Sequence, residues 1–143
     1  VSVMAAGVYL RTQKDQYFQV AYYFSFGAFL AMILPGISDY HHQLYFILFM
    51  VTHYFVLFAV VYGFKWLGAR PTWEGLKYAA RICLLLFGIS FFWNEMYFTN
   101  FMFTQIYLLP QFQVIQPFGV YQALLIPSFL LIMYLMYVPF RKR

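Results

Sequence analysis

The most constraining feature of the sequence is an unbroken apolar run from Leu44 to Phe64, which has the length of a membrane span. A helix of this length, at about 1.5 Å per residue, crosses a hydrocarbon layer roughly 30 Å thick. The run carries no formal charge, and His53 near its middle is the only side chain in it that titrates near neutral pH. Ionisable groups are costly at mid-membrane, so His53 is the first candidate functional residue. The alternative is a neutral imidazole that only hydrogen-bonds within a helix bundle.

The composition excludes a soluble domain. The chain is 64% hydrophobic and 9% charged, whereas about a quarter of the residues of a soluble protein are charged. A β-barrel is excluded because the apolar runs are about 20 residues long and do not alternate with polar residues. The net charge of +5 is the excess of nine basic over four acidic residues, and the basic residues lie in short loops and at helix ends. These positions determine membrane topology, so we predict no nucleic-acid partner.

The apolar segments predict an all-α, polytopic transmembrane bundle that forms a single domain. Residues 99–116 are uncharged but contain a proline and several glutamines, which favours an interfacial or re-entrant segment over a full span. The chain begins inside an apolar segment, which indicates part of a longer protein or one processed before Val1. We predict four full spans and the end of an earlier one: 1–10 (partial), 17–34, 44–64, 78–98 and 117–140.

Local signals predict the helix ends and the orientation. Pro35-Gly36 ends the second segment, and Pro71 fits the region where a helix starts. Thr72 is positioned to cap the helix that follows, and Glu74 adds a favourable negative charge in its first turn. If the spans alternate, all nine basic residues fall on one side, which is the cytoplasm. The prediction is a multi-pass protein of the plasma membrane with a cytoplasmic C-terminus.

His53 has no polar side chain one turn away on its own helix, so we expect its hydrogen-bond partner on another helix. Cys83 lies at a different depth and is predicted to be a small apolar core residue. Asn94 and Ser90 share one face at a spacing of four residues, and with helix tilt both are candidates to approach His53 in the outer half of the bundle.

A metal site is not predicted. Asp39, His41 and His42 are close in sequence, but adjacent histidines in an extended segment point to opposite sides, and no further ligand has suitable spacing. No pattern for an organic cofactor occurs either. Aromatic residues make up 25% of the chain, which exceeds an interfacial belt and predicts contact with membrane lipids and with the helices of other membrane proteins.

The order of motifs resembles the bacterial YwaF family of integral membrane proteins. The resemblance covers nearly the whole chain, and its most specific parts are the turn Arg70-Pro71-Thr72-Trp73, the central His53, and the segment Asn100-Phe101-Met102-Phe103. The family is similar to eukaryotic membrane acyltransferases and lipid hydrolases, in which a nucleophile on one helix pairs with a histidine on another. His53 matches that histidine.

This resemblance implies a lipid acyltransferase or lipid hydrolase in which His53 is the general base and Asn94 or Asn100 orients a polar group. It also implies that the nucleophile lies in a helix upstream of Val1. The alternative is a non-catalytic subunit that packs its aromatic helix faces against other membrane proteins. A transporter is disfavoured because Pro127 is the one helix interruption near mid-membrane.

Overall fold

The computed structural model describes residues 1–33 and 43–141, and for Phe101 it describes the backbone alone. Within these ranges there is no strand, so the predicted all-α class is confirmed. The motif Pro35-Gly36 lies outside the described residues. The α-helices within these ranges are α1 Ser2–Thr12, α2 Asp15–Ile33, α3 Gln43–Trp66, α4 Trp73–Tyr97 and α5 Phe118–Tyr137.

Three of the described helices are long and apolar enough to cross a membrane: α3, α4, and α5 with its extension to Phe140. By length and composition the chain is therefore a multi-pass membrane protein. α2 has 19 residues, but three tyrosines and two glutamines make it less apolar, and much of its first half is buried inside the protein. The predicted number of four full spans is not confirmed, and spanning by α2 stays a prediction.

The start of α4 shows how local sequence sets a helix boundary. The helix begins at Trp73, more than a turn before the predicted start near Tyr78. The Thr72 hydroxyl oxygen accepts a hydrogen bond of 2.9 Å from the backbone N–H of Gly75, which satisfies one of the free donors of the first turn. The predicted cap is therefore confirmed. Glu74 lies in the same turn, as predicted.

The chain forms two compact units, whose boundaries fall inside α4 and inside α5. The first unit consists of Val1–Ala79 and Tyr137–Arg143, and the second unit of Ala80–Met136. Each unit has its own buried residues, so the candidate site is described unit by unit.

In the first unit α1, α2 and α3 pack on one another. The close approach of α3 depends on Gly63, because a Cβ there would lie 2.8 Å from the ring of Phe18 and 2.9 Å from the hydroxyl of Tyr9. Next to this contact the ring of Phe64 lies 5.4 Å from that of Phe18 and 5.7 Å from that of Phe140. Edge and offset contacts at these distances are favourable beyond simple burial, so the aromatic cluster holds the chain end at Phe140 against the three helices.

In the second unit the rings of Phe87 on α4 and Phe129 on α5 meet edge to face at 5.2 Å. Between these helices the chain contains no α-helix, but forms two short 3₁₀ turns, Phe101–Phe103 and Pro110–Val114. The irregular structure agrees with the sequence-based view that residues 99–116 do not continue a helix. Their position at the outer membrane face stays a prediction.

Candidate functional site

His53 lies at the border between the covered and uncovered halves of α3. All the buried residues of α3 lie in its second half, beginning at Val56, whereas His53, one turn earlier, is half-buried. Gly7 of α1 approaches α3 at Phe55. The imidazole is therefore close to packed protein without being enclosed by it.

The His53 ring has a defined partner. Its Nδ1 lies 2.7 Å from the backbone carbonyl oxygen of Phe49, and the two rings are 4.1 Å apart. A carbonyl oxygen only accepts hydrogen bonds, so Nδ1 must carry the proton and donate it. In the neutral ring this leaves Nε2 as a proton acceptor. The expectation of a partner on another helix is wrong for Nδ1, because the backbone of the preceding turn of α3 fills that role.

Thr52 shares this acceptor. Its hydroxyl donates to the same Phe49 carbonyl oxygen at 2.9 Å. Hydroxyl groups in helices commonly bond to the carbonyl of the preceding turn. Two side chains thus converge on one backbone oxygen, and the His53 ring keeps its own direct contact with it.

Asn94 is in the second unit, near the end of α4, and it is almost completely buried, as is Ser90 one turn earlier. Its amide nitrogen donates to the hydroxyl of Thr104 at 2.6 Å, and its oxygen accepts from the hydroxyl of Thr99 at 2.6 Å. The predicted shared face of Ser90 and Asn94 is confirmed as a buried one. Asn94 closes the irregular segment onto α4.

Asn100 has a similar role in the same segment. Its side-chain oxygen accepts from the backbone N–H groups of Gln105 at 3.0 Å and Ile106 at 2.9 Å. Buried or lipid-facing backbone donors are costly without such partners. Both asparagines therefore serve the hydrogen bonds of their own segment. Since His53 belongs to the other unit, an orienting role of either asparagine in its chemistry stays a prediction.

We expect Asn94→Leu to open the irregular segment. The substitution removes the acceptor of Thr99 and the donor to Thr104, which is completely buried, and unsatisfied buried groups cost roughly 1–3 kcal/mol each. Amide hydrogen exchange measured in detergent micelles should rise at residues 99–106 and remain unchanged in α1 and α2. Glu95→Gln is the matched control, because it keeps an acceptor for Gln105 at an exposed position. Equal exchange in the two variants would contradict the prediction.

The sequence analysis missed the side chains that hold the turn Arg70-Pro71-Thr72 in the first unit. Gln19 of α2 is buried; its amide nitrogen donates to the Arg70 carbonyl at 2.8 Å, and its oxygen accepts from the Thr72 N–H at 3.1 Å. The same nitrogen donates to the Asp15 carboxylate, and the Tyr23 hydroxyl donates to the Thr72 carbonyl at 3.1 Å. We call this arrangement the Gln19 clamp. Its one signal in the sequence is a glutamine inside an apolar helix.

Other candidate groups add no site within the described residues. Cys83 is fully buried on α4, as predicted for an apolar core residue. Among the residues described there is no group of three or more histidine, cysteine or acidic side chains placed to hold a metal. Asp39, His41 and His42 lie outside the described residues.

Comparison with known proteins places this arrangement in a family. The sequence profile of the TMEM164 family matches residues 1–137. The chain belongs to the TMEM164 family. It is also 34% identical over 140 residues to an uncharacterized protein of Treponema pallidum (strain Nichols), a match that covers 98% of the chain and 59% of that relative. The chain thus spans about six tenths of the length of this relative. No solved structure matches it.

Membership of the TMEM164 family, together with three helices of spanning length, agrees with the predicted integral membrane protein. The match covers α1 to α5 and includes His53, Asn94 and Asn100. The likeness to the YwaF family and to lipid acyltransferases stays a prediction.

Proposed function

We propose that this TMEM164-family chain is the histidine-bearing part of a lipid acyltransferase or lipid hydrolase, with His53 as the general base. The observation that carries the proposal is the hydrogen bond from His53 Nδ1 to the Phe49 carbonyl. It directs the unprotonated Nε2 away from its own helix backbone, as a general base requires. The same device, in which one ring nitrogen is fixed so that the other reacts, orients catalytic histidines generally.

In the proposed reaction Nε2 takes the proton of a hydroxyl or thiol nucleophile as that group attacks the carbonyl carbon of a lipid ester. The ester bond breaks, the acyl group is bound to the nucleophile, and the departing alcohol receives the proton from the imidazolium. A second alcohol, or water, then gives a proton to Nε2 as it attacks the acyl group; the bond between the acyl group and the nucleophile breaks, and the imidazolium returns the proton to the released nucleophile. The resemblance implies a nucleophile on another helix. The role proposed for Asn94 or Asn100 is to orient a polar group.

A non-catalytic subunit is the second candidate. It is supported by large aromatic side chains that the protein leaves exposed along its helices, among them Tyr45 and Tyr54 on α3 and Phe92 and Trp93 on α4. Such faces fit the acyl chains of lipids and also the helices of partner membrane proteins.

The location proposed for either function is the plasma membrane, with the C-terminus in the cytoplasm. Support comes from the described basic residues of the first unit. Arg11 lies in the last turn of α1 and Lys14 in the α1–α2 turn. Lys65 lies in the last turn of α3, and Arg141 follows Phe140, whose ring packs beside Phe64. One-sided basic residues mark the cytoplasmic face.

The test is a search for acyl transfer by the intact protein. The protein is reconstituted in vesicles of phosphatidylethanolamine and phosphatidylcholine that carry isotopically labelled acyl chains, and the products are measured by mass spectrometry. An enzyme should produce a lysophospholipid together with either labelled fatty acid or a newly acylated lipid, at a rate proportional to the amount of protein. Lipids that stay unchanged, with protein that is folded and correctly inserted, would remove the enzyme proposal in favour of the subunit.

A further inference from the structure

One end of the first unit collects basic side chains from several parts of the chain. The α1–α2 turn carries Arg11 and Lys14, and the Gln19 clamp ties the start of α2 to the carbonyl of Arg70. Lys65 lies in the last turn of α3. Arg141 follows Phe140, whose ring packs on Phe64 and Tyr22. These contacts bring Arg11, Lys14, Lys65, Arg70 and Arg141 to the same end, which we call the basic end.

The basic end lacks neutralising partners among the described residues. A nearby ion pair joins Lys77 to Glu74 at 2.7 Å, and neither of these residues is among the five cations that define the basic end. The carboxylate of Asp15 accepts hydrogen bonds from Gln19. The guanidinium of Arg70 donates to the carbonyl oxygens of Phe64 and Ala69. These acceptors carry no formal charge, so they do not neutralise the guanidinium. All five cations are exposed, and they leave a surplus of positive charge.

Aromatic side chains at the same end point to a membrane surface as the partner. Trp66 is 57% exposed and Trp73 is 48% exposed. The Lys65 ammonium lies 4.7 Å from the Trp66 ring centre, and Trp73 packs on Tyr137 at 5.5 Å. Exposed tryptophan beside tyrosine and lysine is typical of the level of lipid head groups. A soluble polyanion such as RNA would bind the cations, but it would not explain the exposed tryptophans beside them.

We propose that the basic end binds the phosphate groups of anionic phospholipids. Clusters of cations next to membrane spans attract such lipids, and each cation contributes a factor of about five in binding. The site is separate from that of the proposed reaction, because Lys65 and His53 are 12 residues apart on α3, a separation of about 18 Å. The bound lipid therefore anchors the protein rather than reacting at His53.

The experiment measures lipid preference in reconstituted vesicles of phosphatidylcholine. Spin-labelled phosphatidylglycerol and spin-labelled phosphatidylcholine are added separately, and electron paramagnetic resonance gives the fraction of each that the intact protein immobilises. We expect an association constant for phosphatidylglycerol at least about fivefold higher at 0.15 M salt. The preference should approach one near 1 M salt, where the Debye length falls to about 3 Å. Equal association constants for the two lipids at 0.15 M salt, or a ratio of the constants that does not change with salt, would overturn the proposal.

The matching variant replaces Arg11, Lys14, Lys65 and Arg141 by glutamine and should lose most of the preference. Arg70 is left unchanged because its guanidinium holds the end of α3. The control is the double substitution Glu74→Gln and Lys77→Gln, which removes a paired cation with no change in net charge and should keep the preference. Equal losses in both proteins would contradict a role of the unpaired cations. The salt series on the unaltered protein stands even if the fourfold variant inserts poorly.

Discussion

His53→Gln should lower the rate of acyl transfer or hydrolysis by a factor of about 10²–10⁴, the usual contribution of a general base. Glutamine keeps a hydrogen-bond donor and an acceptor at this position of α3, but its amide oxygen does not accept a proton near neutral pH. The amount of protein in the membrane and its unfolding temperature should change little. Rates are measured with the labelled lipids described above, at several pH values, on protein matched for amount.

Two further substitutions separate a catalytic from a structural role. Thr52→Val removes the other side-chain hydrogen bond to the Phe49 carbonyl while leaving the imidazole in place, so activity should stay close to that of the unaltered protein. His53→Leu should remove both the base and the hydrogen bond, and should lower stability by about 1 kcal/mol, the order of one hydrogen bond in a membrane. An active His53→Gln protein would contradict the catalytic role of His53. A Thr52→Val protein as inactive as His53→Gln would indicate that activity depends on the hydrogen bonds to the Phe49 carbonyl rather than on a base.

Gly75→Ala should be the most damaging small substitution in the first unit. A Cβ at this position would collide with the Oε1 and Cδ atoms of Gln19, whose Nε2 donates to the Arg70 carbonyl and whose Oε1 accepts from the Thr72 N–H. Adding a methyl group to a tightly packed site typically costs about 1–3 kcal/mol, and displacing Gln19 leaves two backbone groups without partners at a further cost of roughly 1–3 kcal/mol each. We expect a loss of about 3 kcal/mol in unfolding free energy, measured by denaturant titration in detergent micelles.

A double-mutant cycle tests whether this cost passes through Gln19. Gln19→Ala alone should also destabilise the protein, because it breaks the clamp, but it makes room for the methyl group. The double variant should therefore be more stable than the sum of the two effects predicts, by roughly 0.5–3 kcal/mol. Gly27→Ala is the matched control: nothing lies within 4 Å of its Cβ position on α2, so it should stabilise the helix by about 0.5–1 kcal/mol. Strict additivity of Gly75→Ala and Gln19→Ala would refute the steric explanation.

The helices were predictable to within a few residues wherever a single physical signal dominated. The run containing α3 is long, apolar and uncharged, so length alone identified it, and Thr72 identified the start of α4 because capping is a local interaction. The span predicted from Tyr78 leaves out the first turn of α4 because Glu74 and Lys77 make that turn polar; their ion pair and the cap stabilise it.

The parts of the site that the sequence did not reveal depend on partners distant in the chain or on the backbone. Gln19 and its partners Arg70 and Thr72 are more than 50 residues apart, and no periodicity connects them. His53 stands out in the sequence as the one titratable side chain of its span. The donor role of Nδ1 depends on a backbone carbonyl oxygen, and because every residue has one, the sequence does not show which of them is the acceptor. Asn94 was recognised as sharing a helix face with Ser90, whereas its attachment to Thr99 and Thr104 depends on the irregular path of the chain between α4 and α5.

The Gln19 clamp also sets an order of assembly during synthesis. Asp15, one turn away, is available to the Gln19 amide at once, but the Arg70 carbonyl and the Thr72 N–H follow 51 and 53 residues later. At roughly 5–20 residues per second this is an interval of about 3–10 s. During it the α1–α2 hairpin carries a polar side chain that later becomes buried, with only one of its final partners. The Gln19 clamp can therefore be completed only after the start of α4 has been synthesised.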